Sequence, residues 1–454
     1  MANSDVDVVV IGMGPGGEEV AGRLAEAGLS VVGVERELVG GECPYWGCVP
    51  SKMMIRGSTL IAETRRADPY AGRSSVEPDL AFVAQRIRDE ATDDWDDTVA
   101  ADRFTGKGGR LVRGSARLDG PGRVVVGDDT FLAARGVVVA SGSAPVVPPI
   151  DGLADTRFWT NREAISATTA PESLVVLGGG AIGVELAQMF ARYGSAVTVV
   201  EAMDGILPPE EPEAGEVVAA ALRDDGVTVR TGAKAVHVAR EAGGEVVVRI
   251  EDGTSVRGAE LLVSVGRGAR VGEIGLDTVG LDSQAKALEV DERMRAGERL
   301  WAVGDVTGVG AFTHLAMYQA GIAIRDILGE EGATADYTGL ARVTFTDPEV
   351  GSVGLTERAA REQDRRVRVG VAQVSGSARG WIHGPGNAGF IKLVKDEDGG
   401  VLVGATSVGP WGGEVLSMLT LAVHARVPVA TLRTMIYAYP TFHRGVLDAL
   451  TDLG

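Results

Sequence analysis

The chain has 454 residues, 45% of them hydrophobic, and a formal net charge of −19. That length points to about three domains and that apolar content to a large core. The acidic balance excludes nucleic acid and an anionic membrane surface as partners, because both need clustered Lys and Arg, and two cysteines are too few for a secreted disulfide scaffold, which implies a cytoplasmic protein.

Met1-Ala2-Asn3-Ser4-Asp5 lacks the basic and apolar regions of a signal peptide. Asp7 to Ile11 is a continuous apolar run of strand type. Gly12-Met13-Gly14-Pro15-Gly16-Gly17 follows, then a helical pattern from Glu18 to Ala27, then a second strand from Leu29 that ends in Glu35. A strand, GxGxxG, a helix, a strand and an acid together form a dinucleotide-binding unit. Gly12, Gly14 and Gly17 permit a tight turn and close approach of a pyrophosphate to the helix N-terminus, and Glu35 accepts ribose hydroxyls.

The only two cysteines, Cys43 and Cys48, lie five positions apart in Gly40-Gly41-Glu42-Cys43-Pro44-Tyr45-Trp46-Gly47-Cys48-Val49-Pro50-Ser51-Lys52. Their isolation from any other thiol implies a pair used together. A helix is predicted to begin inside this stretch and run through Ile55. The helix start and Lys52 both favour a thiolate, the reactive form of cysteine.

The dinucleotide pattern recurs. Leu174–Leu177 reads as a strand, Gly178, Gly180 and Gly183 as the turn, Val184–Tyr193 as a helix and Ala196–Val200 as the next strand, ending in Glu201. The stretch Leu174–Ala191 carries four glycines and Glu185, so it is a strand, turn and helix rather than a membrane span. Gly12 to Glu35 and Gly178 to Glu201 are the same interval, 23 positions. Two such units imply two bound dinucleotides. Glu201 accepts from a free 2′-hydroxyl and repels a 2′-phosphate, which favours NADH over NADPH.

The motif GGxCxxxxCxPSK resembles the redox-disulfide signature of the FAD-dependent pyridine nucleotide–disulfide oxidoreductases, which include dihydrolipoamide dehydrogenase, glutathione reductase and mercuric reductase. The resemblance implies an α/β fold of two Rossmann-like domains, one for FAD and one for NAD, plus a C-terminal α+β dimerisation domain. It divides the chain into residues 1–146 and 266–338 for FAD, 147–265 for NAD and 339–454 for the dimer interface. It implies a homodimer whose active site is shared across the interface.

Further segments carry the resemblance. Val137 to Ser143 is similar to the strand that leaves the FAD domain, with Ser141 and Gly142 at its end, and Ala144–Pro149 reads as a linker with three prolines. Gly114-Ser115-Ala116 is similar to the adenine-contacting stretch. Leu262 to Arg267, with Gly266, resembles the return from the NAD domain. Leu300–Asp305 resembles the second FAD fingerprint, in which Gly304 precedes Asp305, the candidate for the ribityl hydroxyls. Thr313, His314 and Ala316 lie in a stretch similar to the one along the flavin's pyrimidine edge. Gly41 belongs with these cofactor-facing residues.

The resemblance also assigns chemistry. Electrons pass from NADH through flavin to a Cys43–Cys48 disulfide and on to a small thiol or disulfide acceptor. Cys48 is the flavin-facing sulfur and Cys43 the interchange thiol. Lys52 stabilises charge on the reduced flavin and Glu185 pairs with it. One departure concerns the C-terminus. Where the family has His-Pro-Thr and then Glu, this chain has Tyr439-Pro440-Thr441-Phe442-His443-Arg444. Tyrosine, with an ordinary pKa near 10, is a poor base at neutral pH. His443, four residues on, would share a helical face with Tyr439, and either residue is a candidate for the acid–base role. No cysteine follows Cys48, so the terminal cysteine pair of mercuric reductase is missing, and no metal site is expected. Two other readings stand: a diaphorase-type reductase of quinones or metals that bypasses the cysteines, and a non-catalytic redox-sensing dimer.

Overall fold

A computed structural model describes residues 3–454. The chain divides into two compact units. One takes the chain up to Ser51, Ala84–Val146 and Gly266–Asp336. The other takes Lys52–Val83, Val147–Val265 and Tyr337–Gly454.

The first unit is built on an eight-stranded sheet. Strand Asn3–Ile11 lies in its middle, parallel to Val31–Glu35 on one side and to Asp129–Val139 on the other. The runs Val8-Val9-Val10, Val31-Val32 and Val137-Val138-Val139 are buried. Such continuous β-branched runs belong to parallel strands covered on both faces. The chain turns to opposite sides of Asn3–Ile11, so its C-terminal end is a switch point, where α/β sheets bind ligands. Gly12–Gly17 leaves the sheet there and opens into helix Pro15–Glu26.

The second unit contains a four-stranded parallel sheet, in the order Thr228–Arg230, Ala196–Val200, Ser173–Leu177, Glu260–Val263. Gly178–Gly183 leads from its inner strand into helix Ala181–Arg192. That helix is anchored at its C-terminal end by Arg192, whose buried guanidinium meets Asp225 at 2.9 Å and Asp347 at 2.8 Å. A cation in the last turn also complements the helix dipole. The same unit ends in a five-stranded antiparallel sheet running from Ala341–Thr344 at one edge to Val367–Gln373 at the other. Helices Gly412–His424 and Gly445–Asp452 bury Leu416, Leu419, Val446 and Leu450 against it.

The proline-rich stretch expected to be a plain linker is partly paired. Ser143–Pro145 forms an antiparallel ladder with Arg267–Ala269. Among the described residues, no helix is long and apolar enough to cross a membrane, and no group of three or more His, Cys, Asp or Glu side chains is placed to hold a metal ion.

Candidate active site

The two glycine turns have the same geometry. Gly12 has φ +93°, and a Cβ there would lie 2.4 Å from the Ala140 carbonyl oxygen; at Gly178, with φ +103°, it would lie 2.5 Å from that of Ser264. Gly17 packs on the Gly12 carbonyl as Gly183 packs on that of Gly178. Only the middle glycines face open space, since a Cβ on Gly14 or Gly180 would meet nothing within 4 Å. Each caps a helix of twelve residues. A closed turn with one open glycine at a helix N-terminus fits a pyrophosphate, so the residues present suit the two dinucleotides.

The acids closing each unit are clamped alike. Glu35 accepts from the backbone N–H groups of Met13 and Glu37, each at 2.8 Å. Glu201 accepts from Gly179 at 2.6 Å and Met203 at 2.7 Å. Both carboxylates are thereby held beside the glycine turn. Gly114 N–H donates to the Glu35 carbonyl, which brings Ser115 and Ala116 to the same edge. Gly180→Ala is expected to leave the melting temperature unchanged and to raise the KM for NADH about tenfold, because the added methyl clashes with nothing in the protein but occupies the phosphate approach. Steady-state kinetics with NADH checks this.

The redox motif sits on the first turn. Gly41 has φ +65°, and a Cβ there would be 2.8 Å from Gly14 Cα. Cys43 lies in the short helix Glu42–Tyr45, and Cys48 is the first residue of helix Cys48–Arg65. No disulfide joins the sulfurs of the two cysteines. Their side chains are hydrogen-bonded to each other, and the Thr313 hydroxyl reaches both, at 3.4 Å from Cys48 Sγ. The hydrogen bond to Cys48, then burial, pushes the Cys43 thiol far above its ordinary value, and the Thr313 hydrogen bond opposes this only in part. The expectation that the helix start and Lys52 acidify the pair therefore fails for Cys43. Cys48, not Cys43, is the residue at the start of the long helix.

The folded dithiol binds its Cys43 proton more tightly than the unfolded chain does. The stabilisation is full below the ordinary thiol value of 9.0 and is lost as pH rises beyond it. The reduced wild type should thus lose melting temperature between about pH 8 and pH 10.5 faster than Cys43→Ser does, as measured by thermal scans in excess reductant.

Lys52 and Glu185 are brought together, with Lys52 Nζ donating to Glu185 Oε2 at 2.8 Å. Glu185 is buried, and its other oxygen accepts from Phe345 N–H at 2.7 Å. Lys52 Nζ also lies 4.8 Å from the centre of the Phe345 ring. Asp305 opens a short helix and accepts from Ser143 Oγ at 2.5 Å. Arg267 Nε donates to the same Ser143 oxygen at 2.8 Å and Arg267 Nη2 lies 3.5 Å from Glu42. Ser141 Oγ donates to the Arg270 carbonyl and Gly142 accepts from Arg270 N–H. Gly304 N–H donates to buried Gln319, and a Cβ on Gly304 would touch that of Ala316 at 3.3 Å. His314 stacks on Phe312. Gly266 has φ +122° with open space around it.

Tyr439 and His443 do not share a helical face. Tyr439 is 72% exposed and lies outside any helix, and a short helix begins only at Phe442. Pro440 explains the correction, since its ring clashes with the preceding residue in helical conformation and keeps Tyr439 out of a helix through 439–443. His443 Nε2 lies 3.3 Å from Thr441 Oγ1. Three features were not read from the sequence: the Thr313 bridge, the Arg267–Ser143–Asp305 chain, and Trp95, whose ring stacks on Trp46 at 5.2 Å.

Residues 6–320 match the family described as pyridine nucleotide-disulphide oxidoreductase, and residues 340–450 match its dimerisation domain. The chain belongs to the pyridine nucleotide-disulphide oxidoreductase family. It is 34% identical to a dihydrolipoyl dehydrogenase of Chlorobaculum tepidum, over 98% of this chain and 96% of that one. It is 33% identical to a mercuric reductase of Shigella flexneri, over 97% and 79%. Among solved structures, LpdA of Mycobacterium tuberculosis matches with a TM-score of 0.85 and 26% identity over both whole chains. The HOCl-induced flavoprotein disulfide reductase RclA of Escherichia coli matches with a TM-score of 0.86 and 25% identity, over 98% and 99%. This oxidoreductase uses FAD and NAD(H), and its dimerisation domain supports a homodimer.

Proposed function

We propose that this oxidoreductase reduces a small disulfide with electrons from NADH, through the Cys43–Cys48 pair. The observation that carries the reading is the hydrogen-bonded contact between the two thiols, which places them within reach of a disulfide bond. FAD, when bound, relays two electrons from NADH to that pair. Residues 1–146 and 266–338 hold FAD, and residues 147–265 hold NADH. Gly12, Gly14, Gly17, Glu35 and Asp305 face the flavin nucleotide. Gly180 and Glu201 face NADH, and Lys52, paired with Glu185, would stabilise negative charge on the reduced flavin.

Cys43 sulfur attacks the acceptor disulfide, forms a mixed disulfide and releases one thiol. Cys48 sulfur then attacks Cys43, closes the Cys43–Cys48 bond and releases the second thiol. The dithiol has given up two electrons and the acceptor has gained two electrons and two protons. The Cys48 hydrogen bond and burial push the Cys43 thiol up, so the first attack needs a base. We assign it to His443, delivered by the second subunit. Exposed Trp381, Ile436 and Tyr439 on the dimerisation segment support a second copy covering that surface.

One observation favours a second reading. Tyr439 stands in place of the usual His, which suits a reductase of quinones that leaves the cysteines idle. Assaying NADH oxidation with lipoamide, other small disulfides and quinones decides between them. Turnover of a disulfide supports the proposal. Turnover of quinones alone supports the diaphorase.

A further inference from the structure

A cavity of about 660 Å³ in the first unit reaches Cys43. Its walls are the start of helix Pro15–Glu26, the stretch 89–96, helix Thr98–Gly106, and Thr313 with Met317. That volume suits a small molecule. Six carboxylates line it, from Glu18, Glu19, Asp89, Glu90, Asp93 and Asp96, against two cations, Arg103 and Lys107.

Both cations are engaged. Arg103 donates through Nε and Nη2 to Glu18, at 2.8 and 2.5 Å, and Lys107 meets Glu26 at 3.3 Å. Glu19, Asp89 and Glu90 pair outward with Arg23, Arg88 and Arg86. Among the described residues, Asp93 and Asp96 have no cationic partner. The Thr98 hydroxyl and N–H hold Asp96 below the usual carboxylate range, so it is ionised at neutral pH. An anionic acceptor therefore finds no free cation, and it meets two uncompensated carboxylates.

This acidic wall is fixed in place. Asp93, Asp94 and Trp95 are three successive non-glycine residues in the left-handed region, with φ of 48°, 53° and 60°. They follow a π-turn at Ile87–Ala91. Such a run persists only where surrounding contacts over-determine it. Here Trp95 stacks on Trp46 and its indole N–H donates to the Tyr45 carbonyl at 3.3 Å, both within the segment between the cysteines. Beyond it, buried Asp97 is gripped by Arg113 and by Val39 N–H.

We infer that this cavity admits the acceptor to Cys43 and selects it by charge, taking neutral or cationic low-mass disulfides and rejecting anionic ones. The inference rests on the disulfide-reductase reading and names its substrate class. The test compares three disulfides with the FAD-loaded enzyme at low salt: cystamine (cationic), bis(2-hydroxyethyl) disulfide (neutral) and 3,3′-dithiodipropionate (anionic). The expected kcat/KM for the anion is about tenfold below the neutral compound, and the gap closes as salt is added. In Asp93→Asn combined with Asp96→Asn, the anion gains and the cation loses, a pair of opposite changes that a loss of fold cannot produce. Equal kcat/KM for all three, indifferent to salt and to the double substitution, overturns the charge selection and leaves the disulfide-reductase reading intact. Failure of all three, in enzyme whose flavin NADH reduces normally, overturns that reading and the inference with it.

Discussion

Cys43→Ser should lower NADH-driven reduction of a small disulfide by about a thousandfold or more, while quinone reduction stays within about twofold of wild type. The serine oxygen cannot form a mixed disulfide, so the first covalent step is lost. The change is gentle elsewhere. Serine is nearly isosteric, and it keeps hydrogen-bonding capacity toward Cys48 and Thr313, the partners of Cys43. The substitution leaves the backbone of the glycine turns unchanged, so NADH should still reduce the flavin. Retention of disulfide turnover in the purified variant would remove Cys43 from the route.

Lys52→Met should slow flavin reduction by NADH about a hundredfold, because a fixed positive charge is lost where negative charge develops. A structural cost accompanies it. Glu185 is buried and has two partners, the Lys52 ammonium and Phe345 N–H. Losing the first leaves the carboxylate half-satisfied. Lys52 is 35% exposed and water screens the pair, so the stability cost should be only about 1–2 kcal/mol. The double variant Lys52→Met with Glu185→Gln separates the effects, since the neutral amide suits the site better. The double variant should recover melting temperature but not the rate of flavin reduction in stopped flow. Recovery of both would mean that Lys52 serves only to neutralise Glu185.

The parts of the site that were legible in sequence are those encoded by local backbone demands. Glycine at 12 and 178 is required by positive φ and by a carbonyl within contact distance, and the equal spacing to Glu35 and Glu201 repeats one strand–helix–strand unit. A helix beginning inside the cysteine stretch was legible too, though the structure has two there, Glu42–Tyr45 and Cys48–Arg65. The missed parts depend on residues far apart in the chain. Ser143–Pro145 is three residues long and carries no period to read, yet it pairs across more than a hundred residues with Arg267–Ala269. Thr313 reaches the thiols from the first turn of a helix 265 residues beyond Cys48. The run Asp93-Asp94-Trp95 reads as an acidic loop, and only the stack on Trp46 shows why it is held in the left-handed region. The helical spacing of Tyr439 and His443 misled for a local reason, because Pro440 stands between them.

If the cysteines carry the current, electrons should rest on the cysteine pair between donor and acceptor. Anaerobic titration of the oxidised, FAD-loaded enzyme with one equivalent of NADH per chain, followed by thiol quantitation in denaturant, shows where they go. The chain has two cysteines. The expected result is the appearance of two thiols per chain where none were titratable before, with the flavin spectrum largely that of the oxidised cofactor. Full bleaching of the flavin by the first equivalent, with no change in thiol count, would contradict the claim and leave the cysteines outside the electron path.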